Sequence, residues 1–297
     1  MNISRRERSK GIAALVALAL VFACMGLFAR TLSTGFTLFQ QVYLRVIAAF
    51  VFGLLFFYKD VNFSKLKKIV PKEYMLLFFR AACQYLFGVV LFSLAITLTK
   101  YSSASFIGAL PMTALLGIFL LGEQFSTQKI FLVILAFVGV LLISVKDSFS
   151  LFFLGRGEII MLVATFFFSL GYVARKWHST LLNNKEITLL ILFFALIQVF
   201  VSSLLAGENL PISTYQATFI PVVVGAGLFN LANLALINYG FQTVEAVVAS
   251  NILTLESVFA ITIGFLFYQE IPSLREFLGG LIIIGSVIKM NEIENKK

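Results

Sequence analysis

The sequence MGLFAR at residues 25–30 returns as LGYVAR at residues 170–175, and LLGE at residues 120–123 returns as FYQE at residues 267–270. Both repeats lie about half of the 297-residue chain apart, so the pattern predicts two copies of one unit. Each copy holds an odd number of apolar segments, five, and the second copy therefore enters the membrane from the opposite side. Such inverted repeats are typical of secondary transporters, which bind substrate near the midplane where the repeats meet.

The composition indicates that lipid is the solvent for most of the chain. Hydrophobic residues make up 60% of the sequence and charged residues 12%, whereas an ordinary soluble domain carries about 25% charged residues. The net charge is +9, and most of the basic residues lie in the joints between apolar segments. This position indicates that they set the orientation of the spans and do not form a nucleic-acid-binding face. Cys24 and Cys83 lie inside apolar segments without disulfide or metal spacing. The sequence predicts neither a metal nor a cofactor.

The apolar segments predict an all-α integral membrane protein with ten transmembrane helices, since a spanning segment must satisfy its own backbone hydrogen bonds. The two inverted five-helix repeats are predicted at residues 1–147 and 148–297. The predicted spans are 11–29, 36–57, 74–97, 101–121, 128–145, 157–177, 187–206, 215–239, 244–268 and 274–290.

The distribution of basic residues predicts the orientation of these spans. Most of the 23 lysines and arginines fall on one side when both termini are placed in the cytoplasm, as the positive-inside rule requires. Arg5, Arg6, Arg8 and Lys10 precede the first apolar run, which is long enough to be an uncleaved first span. The short joints and the lack of an organelle-targeting signal suit a bacterial inner membrane.

Several motifs resemble the EamA-type transporters of the drug/metabolite transporter superfamily. The first half carries YLR at 43–45, SAS at 103–105, LP at 110–111 and LGE at 121–123; the second carries AVVA at 246–249 and LES at 255–257, and this span ends at Glu270. Ser257 stands where the family usually has proline, and Gln269 where it has glycine. The resemblance implies a transporter of amino acids, amines, nucleotides, vitamins or other small metabolites, often directed outward.

Glu256 and Arg45 are the two ionisable residues that the sequence places deep inside spans, where charge is costly and usually functional. Glu256 is predicted either to exchange protons or pair a cationic substrate group, or to hold span nine in place through an ion pair or hydrogen bond. Arg45 is predicted either to bind a carboxylate or phosphate or to act as a buried counter-ion for Glu256 or another acid. Arg80, near the start of span three, is expected to snorkel to the headgroups.

Polar side chains in three spans predict a wet central cavity, with interhelical hydrogen bonds as the alternative role for each of them. They are Gln84 and Tyr85 in span three, Asn230 and Asn233 in span eight, and Asn251 in span nine. Asn230 and Asn233 are three residues apart and share one helix face.

Pro111, Glu123 and Glu270 are predicted hinge or gate residues. Pro111 interrupts span four, and Glu123 and Glu270 end matching spans on opposite sides of the membrane. Because the helix dipole disfavours a carboxylate at a helix C-terminus, each glutamate is expected to meet a partner such as a neighbouring helix N-terminus.

The sequence therefore predicts a secondary transporter that moves a small metabolite, an amino acid or related compound, outward by alternating access. Its partners would be the substrate, the lipid bilayer and a coupled proton or ion, and it would work as a monomer or homodimer without nucleic acid. A flippase for a lipid or lipid-linked intermediate is the alternative. A membrane-embedded enzyme ranks lower, because the chain has one histidine and only joint-located aspartates, which do not form a catalytic constellation.

Overall fold

A computed structural model describes residues 4–66, 68–99, 104, 107–123, 126–144, 155–211, 217–268 and 273–295. Within these ranges the regular secondary structure is helical, without β-strands. The helices are α1 Arg5–Ser33, α2 Leu38–Phe57, α3 Phe63–Leu66, α4 Pro71–Leu98, α5 Met112–Leu121, α6 Thr127–Ser144, α7 Arg156–Val173, α8 Asn184–Leu205, α9 Ile220–Thr243, α10 Ala246–Leu253, α11 Leu255–Tyr268 and α12 Leu274–Asn295.

Within the described ranges, seven helical segments are long and apolar enough to cross a membrane. They are Arg5–Ser33, Leu38–Asp60, Pro71–Leu98, Arg156–Trp177, Asn184–Leu205, Ile220–Thr243 and Ala246–Ile263. Shorter apolar helices cover Met112–Leu121 and Thr127–Leu142, so the count of ten spans stays a prediction. Large apolar side chains point outward from the bundle, among them Phe119, 80% exposed, and Leu205, 84% exposed. Such an apolar exterior suits lipid and not water.

Local side-chain contacts explain where several helices begin and end. At the start of α1, Ser4 Oγ accepts a hydrogen bond from the Glu7 N–H at 3.2 Å, and Glu7 accepts one in return from the Ser4 N–H at 3.1 Å. Asn183 and Glu186 form the same reciprocal capping box at the start of α8. These contacts satisfy amide groups that have no partner inside the helix. Helix α5 ends at Gly122, whose φ of 63° favours glycine.

The two halves of the chain are packed into each other rather than side by side. Helix α1 packs against α9, α2 against α8, α5 against α10 and α6 against α12. The pairing of α4 with α7 completes the set. By the sequence repeat, α7 is the counterpart of α1 and α9 is the counterpart of α4. Exchanging each helix for its counterpart turns the α1–α9 pair into the α7–α4 pair. The other three pairs each join a helix to its own counterpart and are unchanged. The helix contacts therefore follow the two-fold relation that the sequence repeat predicts.

Close contacts at glycines give the directions of the helices. Gly11 in α1 packs directly against Thr243 at the end of α9, and Gly35, after α1, packs against Phe219 at the start of α9. We call the first end of the bundle the proximal face and the second the distal face. Arg175, just after α7, bonds the carbonyl of Asn238 near the proximal end of α9 at 3.1 Å. Helix α7 therefore ends at the face where α1 begins, and the two halves run in opposite directions.

Candidate functional site

Two interrupted helices meet in the middle of the bundle. Before α5, residues 109–111 form a turn, and Met112 N donates to the Leu110 carbonyl at 2.7 Å. Between α10 and α11, the chain turns at Thr254, whose Oγ1 donates to the Asn251 carbonyl at 2.6 Å. The turn at Thr254 forms without the proline that the family usually carries, because a threonine hydroxyl can bond a carbonyl of its own helix and divert the backbone. Interrupted helices in matching positions of two halves mark binding sites in transporters.

A cavity of about 110 Å³ lies beside both turns. Its walls come from α1, α2, α4, α7, α9 and the two interrupted helices. The lining includes Arg45 and Glu256, and the turn residues Ala109, Leu110 and Thr254. Pro111 is the last residue of the turn at 109–111 and immediately precedes α5. A space of this size holds several water molecules or a small solute.

Arg45 is fixed from its own helix and from α4, which leaves part of its guanidinium for the cavity. Its Nε donates to the Gln41 carbonyl at 3.0 Å, and its Nη2 donates to Ser93 Oγ at 3.0 Å. Nη1 has no protein partner in the described part of the chain. Arg45 also makes no ion pair with a described acid, so the counter-ion role is not realised here. A fixed, unpaired guanidinium edge is suited to bind a carboxylate or phosphate.

Glu256 lines the same cavity from the first turn of α11. Among the described residues its carboxylate has no hydrogen-bond or ion-pair partner. The hydroxyl-bearing residues Thr113, Ser169 and Ser250 share the cavity wall with it. Thr113 Oγ1 donates to Ser169 Oγ at 2.9 Å, which links α5 to α7 beside the cavity. A carboxylate with no protein partner in a confined space is suited to take a proton or to pair a substrate ammonium group.

Aromatic and aliphatic side chains form the rest of the wall. Phe22 stacks on Tyr172 with ring centroids 6.3 Å apart, and Tyr172 stacks on Phe168 at 6.2 Å. Met25 and Leu110 add aliphatic surface. Met25 and Tyr172 were not among the predicted cavity residues, although both lie in the repeated stretches 25–30 and 170–175. That repeat was the available signal for cavity-lining residues.

A second, smaller cavity of about 20 Å³ adjoins the first. It is lined by Gln84, Tyr85, Asn230 and Asn233, which are four of the five predicted polar cavity residues. Asn233 also lines the larger cavity. Asn230 Nδ2 donates to the Ala226 carbonyl of its own helix at 2.8 Å.

Asn251 is placed differently from the other predicted polar residues. It is fully buried and donates to the Leu132 carbonyl at 3.2 Å and to Ser286 Oγ at 2.9 Å. It does not line either of these cavities. The structure therefore gives Asn251 the alternative role of joining α10 to α6 and α12.

Glu123 joins the two interrupted helices at the proximal face. Its Oε1 accepts from Ala246 N at 2.8 Å, its Oε2 accepts from Val247 N at 3.1 Å, and Lys176 donates to it at 2.8 Å. The expected contact with a neighbouring helix N-terminus is confirmed for Glu123, because its carboxylate caps α10 where the dipole favours negative charge. Glu270 lies outside the described residues.

The snorkelling expected of Arg80 is wrong. Arg80 is fully buried, and it donates to the Gly171 carbonyl at 3.0 Å and to Asn238 Oδ1 at 2.9 Å. Asn238 in turn donates to Thr188 Oγ1 at 2.9 Å. This proximal network of Arg80, Gly171, Asn238 and Thr188 ties α4, α7, α8 and α9 together. The residues of this network are far apart in sequence, so no local sequence pattern predicted the network.

His178 and Glu73 add a second polar contact at the proximal face. His178 Nδ1 lies 2.5 Å from Glu73 Oε1, and Ser179 N donates to Glu73 Oε2 at 3.3 Å. Burial, and then the positive charge of Arg80, lower the pKa of His178 to about 4 against the opposing effect of Glu73. The histidine is therefore neutral at pH 7 and donates its Nδ1 proton to the carboxylate.

Comparison with known proteins follows the same division into halves. The model of the EamA-like transporter family matches residues 9–145 and again residues 155–291. Among solved structures 28 chains match, and one of them, described only as "Crystal structure of protein", has a TM-score of 0.76 and 14% identity over 94% of this chain and 95% of that chain. At that identity the likeness shows the fold alone. No curated protein matches the chain.

Proposed function

The chain belongs to the EamA-like transporter family, and from that premise we propose that it is a secondary transporter of small zwitterionic metabolites of the amino-acid class. One observation carries the choice of substrate. Arg45 and Glu256 line one cavity, and neither makes an ion pair with the other or with another described residue. A zwitterion brings a carboxylate for Arg45 and an ammonium group for the deprotonated Glu256, so that bound substrate supplies each side chain with an opposite charge.

The apolar part of the wall supports a substrate with a side chain beyond its charged groups. Phe22, Phe168 and Tyr172 present ring surface to the cavity. Binding pockets commonly combine an apolar wall with a few fixed polar groups that orient the ligand. Arg45 and Glu256 would fix the charged end of the substrate, and the rings would contact its side chain.

Alternating access is supported by where the cavity and the polar contacts lie. The cavity is lined by Phe22 and Met25 in the distal half of α1, and along α7 from Met161 to Tyr172. The proximal network and the Glu123 cap hold the helices together at the other face. We infer a state with the proximal side closed. Rocking of the two halves about the midplane would exchange the closed side.

Coupling to a proton is assigned to Glu256 in this proposal. A carboxylate without a protein partner can hold a proton when the substrate is absent and release it when an ammonium group arrives. Outward transport accords with the direction common in the family. We further propose that the protein lies in a bacterial inner membrane with both termini in the cytoplasm, as the basic joints indicate.

The test is counterflow of radiolabelled amino acids in liposomes that contain the purified protein, with and without a pH gradient. Glu256→Gln is expected to bind the amino acid more weakly, to retain exchange at equal pH when the amino-acid concentration is raised, and to lose the acceleration by the gradient. Arg45→Gln is expected to lose exchange. Glu292→Gln is the matched control, since Glu292 is exposed and pairs with Lys289 at the bundle end. Gradient-driven flux that survives in Glu256→Gln would overturn the coupling role.

A lipid flippase is the second candidate, because much of the cavity wall is aromatic. Under this alternative the protein would move a fluorescent phospholipid between the leaflets of a liposome without amino acids having any effect. Amino-acid counterflow in the absence of lipid movement would exclude it.

A further inference from the structure

The smaller cavity is lined by buried polar atoms that have no hydrogen-bond partner in the described part of the protein. Gln84 is buried, and neither its Nε2 nor its Oε1 has a hydrogen-bond partner; the Oδ1 of Asn233 is likewise buried and without a partner. Buried polar atoms almost always find a partner, in the protein or in water or a ligand. Three such atoms around one cavity point to an occupant that supplies the missing bonds.

The backbone around Gln84 is built to hold its side chain at this cavity. Residues Ala82–Val89 of α4 form a π-helical segment, which is rare and often found at functional sites. A side chain at position 171 would meet Gln84 Cγ at 2.7 Å, so Gly171 lets Gln84 lie directly on the backbone of α7. The amide group is therefore fixed between α4 and α7 and is not a mobile side chain.

The two cavities adjoin and share part of their walls. Val89, Phe168, Tyr172 and Asn233 line both. A molecule held by Arg45 and Glu256 in the larger cavity can extend a substituent past the rings into the smaller one. The volume of about 20 Å³ admits one water molecule or a substituent of similar size.

We propose that the smaller cavity is a side-chain subsite that selects zwitterionic substrates with a hydroxyl group. A hydroxyl group both accepts and donates, so it can accept from Gln84 Nε2 and donate its single proton to Gln84 Oε1 or to Asn233 Oδ1. Methyl is close in size but leaves these atoms unpaired in a water-poor site, which is the arrangement that discriminates strongly between isosteric ligands. This inference rests on the proposed function and specifies the substrate side chain.

Threonine and valine are the probes, since they are isosteric and differ in a hydroxyl and a methyl group. In competition against a radiolabelled amino acid that the wild-type protein binds, threonine is expected to bind at least about tenfold more tightly than valine. Gln84→Leu is expected to reduce this ratio to about twofold or less by weakening threonine and leaving valine unchanged. Asn233→Leu, which removes the third unpaired atom, is expected to act in the same direction.

Gln198→Leu is the matched control. Gln198 is a buried glutamine of α8 whose Nε2 donates to the Phe78 carbonyl at 3.0 Å, and it lines neither of these cavities. Its replacement is expected to keep the wild-type preference. Equal binding of threonine and valine by the wild type would overturn the subsite and assign the cavity to a water molecule. A preference lost equally in Gln198→Leu would also overturn it. Failure of the wild type to bind any zwitterionic amino acid would instead overturn the proposed function, and the subsite with it.

Discussion

Asn238 is the residue whose replacement most directly tests how the proximal face is held closed. Its Oδ1 accepts from Arg80 at 2.9 Å and its Nδ2 donates to Thr188 Oγ1 at 2.9 Å. These bonds join α9 to α4 and α8. In the proximal-open state the helices must separate here, so the bonds stabilise one state only. Asn238→Leu keeps the side-chain size approximately and removes both bonds.

The magnitude follows from bonds of this kind in membrane proteins. Interhelical hydrogen bonds contribute about 0.6 kcal/mol on average and up to about 1.7 kcal/mol, and the charged donor Arg80 places one of the two near the upper end. We expect the loss of both to cost the closed state about 2 kcal/mol. At 1.4 kcal/mol for each factor of ten, the proximal-open population rises about thirtyfold.

The assay is the rate of labelling of a cysteine in the cavity by a membrane-impermeant maleimide. The native cysteines are Cys24 and Cys83, and both are replaced by alanine. Ser250→Cys then provides the probe, because Ser250 lines the cavity on the proximal side of the Thr254 turn. Reagent applied from the proximal side reaches it only when that face opens, so Asn238→Leu should label about thirtyfold faster while opening remains rare.

Asn251→Leu is the matched control for a loss of stability without a loss of gating. Asn251 is also a fully buried asparagine with two hydrogen bonds, but these join α10 to α6 and α12. The two variants should lose similar thermal stability, and only Asn238→Leu should label faster. Unchanged labelling in Asn238→Leu, or equal acceleration in both, would refute the gating role.

Further predictions concern the helix cap, the proximal histidine and the helix contacts. Glu123→Ala should lower the free energy of unfolding by about 1–2 kcal/mol in a denaturant titration, because α10 loses its cap; no change would contradict the capping role. The pKa of His178 is lowered to about 4 in the folded protein. As the pH falls, His178 therefore becomes protonated in the unfolded chain at a higher pH than in the folded protein. Thermal stability should therefore fall as pH drops from about 6.5 towards 4, and His178→Gln should flatten this part of the pH profile. Gly227→Ala should cost about 1–3 kcal/mol in the same titration, because its Cβ would meet that of Ala48 at 2.4 Å. Gly285→Ala, with no atom within 4 Å of its Cβ, should be neutral, and equal losses in the two would contradict the packing argument.

The apolar composition predicted an all-helical membrane protein, and the repeated stretches 25–30 and 170–175 predicted its two related halves. Hydrophobic composition and repeat spacing are properties of the whole chain, so a few atypical residues do not change the fold that they predict. Arg45 and Glu256 could also be predicted as candidate site residues, because a charged side chain inside an apolar span differs clearly from its neighbours. Both residues line the central cavity.

The roles of individual polar residues could not be predicted, because they depend on partners distant in sequence. Asn233 and Asn251 are alike in local sequence context, but one lines the cavity and the other bonds Leu132 and Ser286. Arg80 near a span end is expected to reach the headgroups unless partners such as Gly171 and Asn238 lie within reach. The turn at Thr254 could not be predicted from a proline, because Ser257 stands at the family's proline position. The Thr254 hydroxyl instead bonds the Asn251 carbonyl at the turn.

In the proposed function, Arg45 and Glu256 each bind one charge of a zwitterion. The most direct measurement is equilibrium binding of an amino acid, its amide without the carboxylate charge, and its α-hydroxy acid without the ammonium group, to the wild type, Arg45→Gln and Glu256→Gln. We predict that Arg45→Gln weakens the amino acid and hydroxy acid but not the amide, and that Glu256→Gln weakens the amino acid and amide but not the hydroxy acid. Equal weakening of all three ligands by either substitution would contradict the claim.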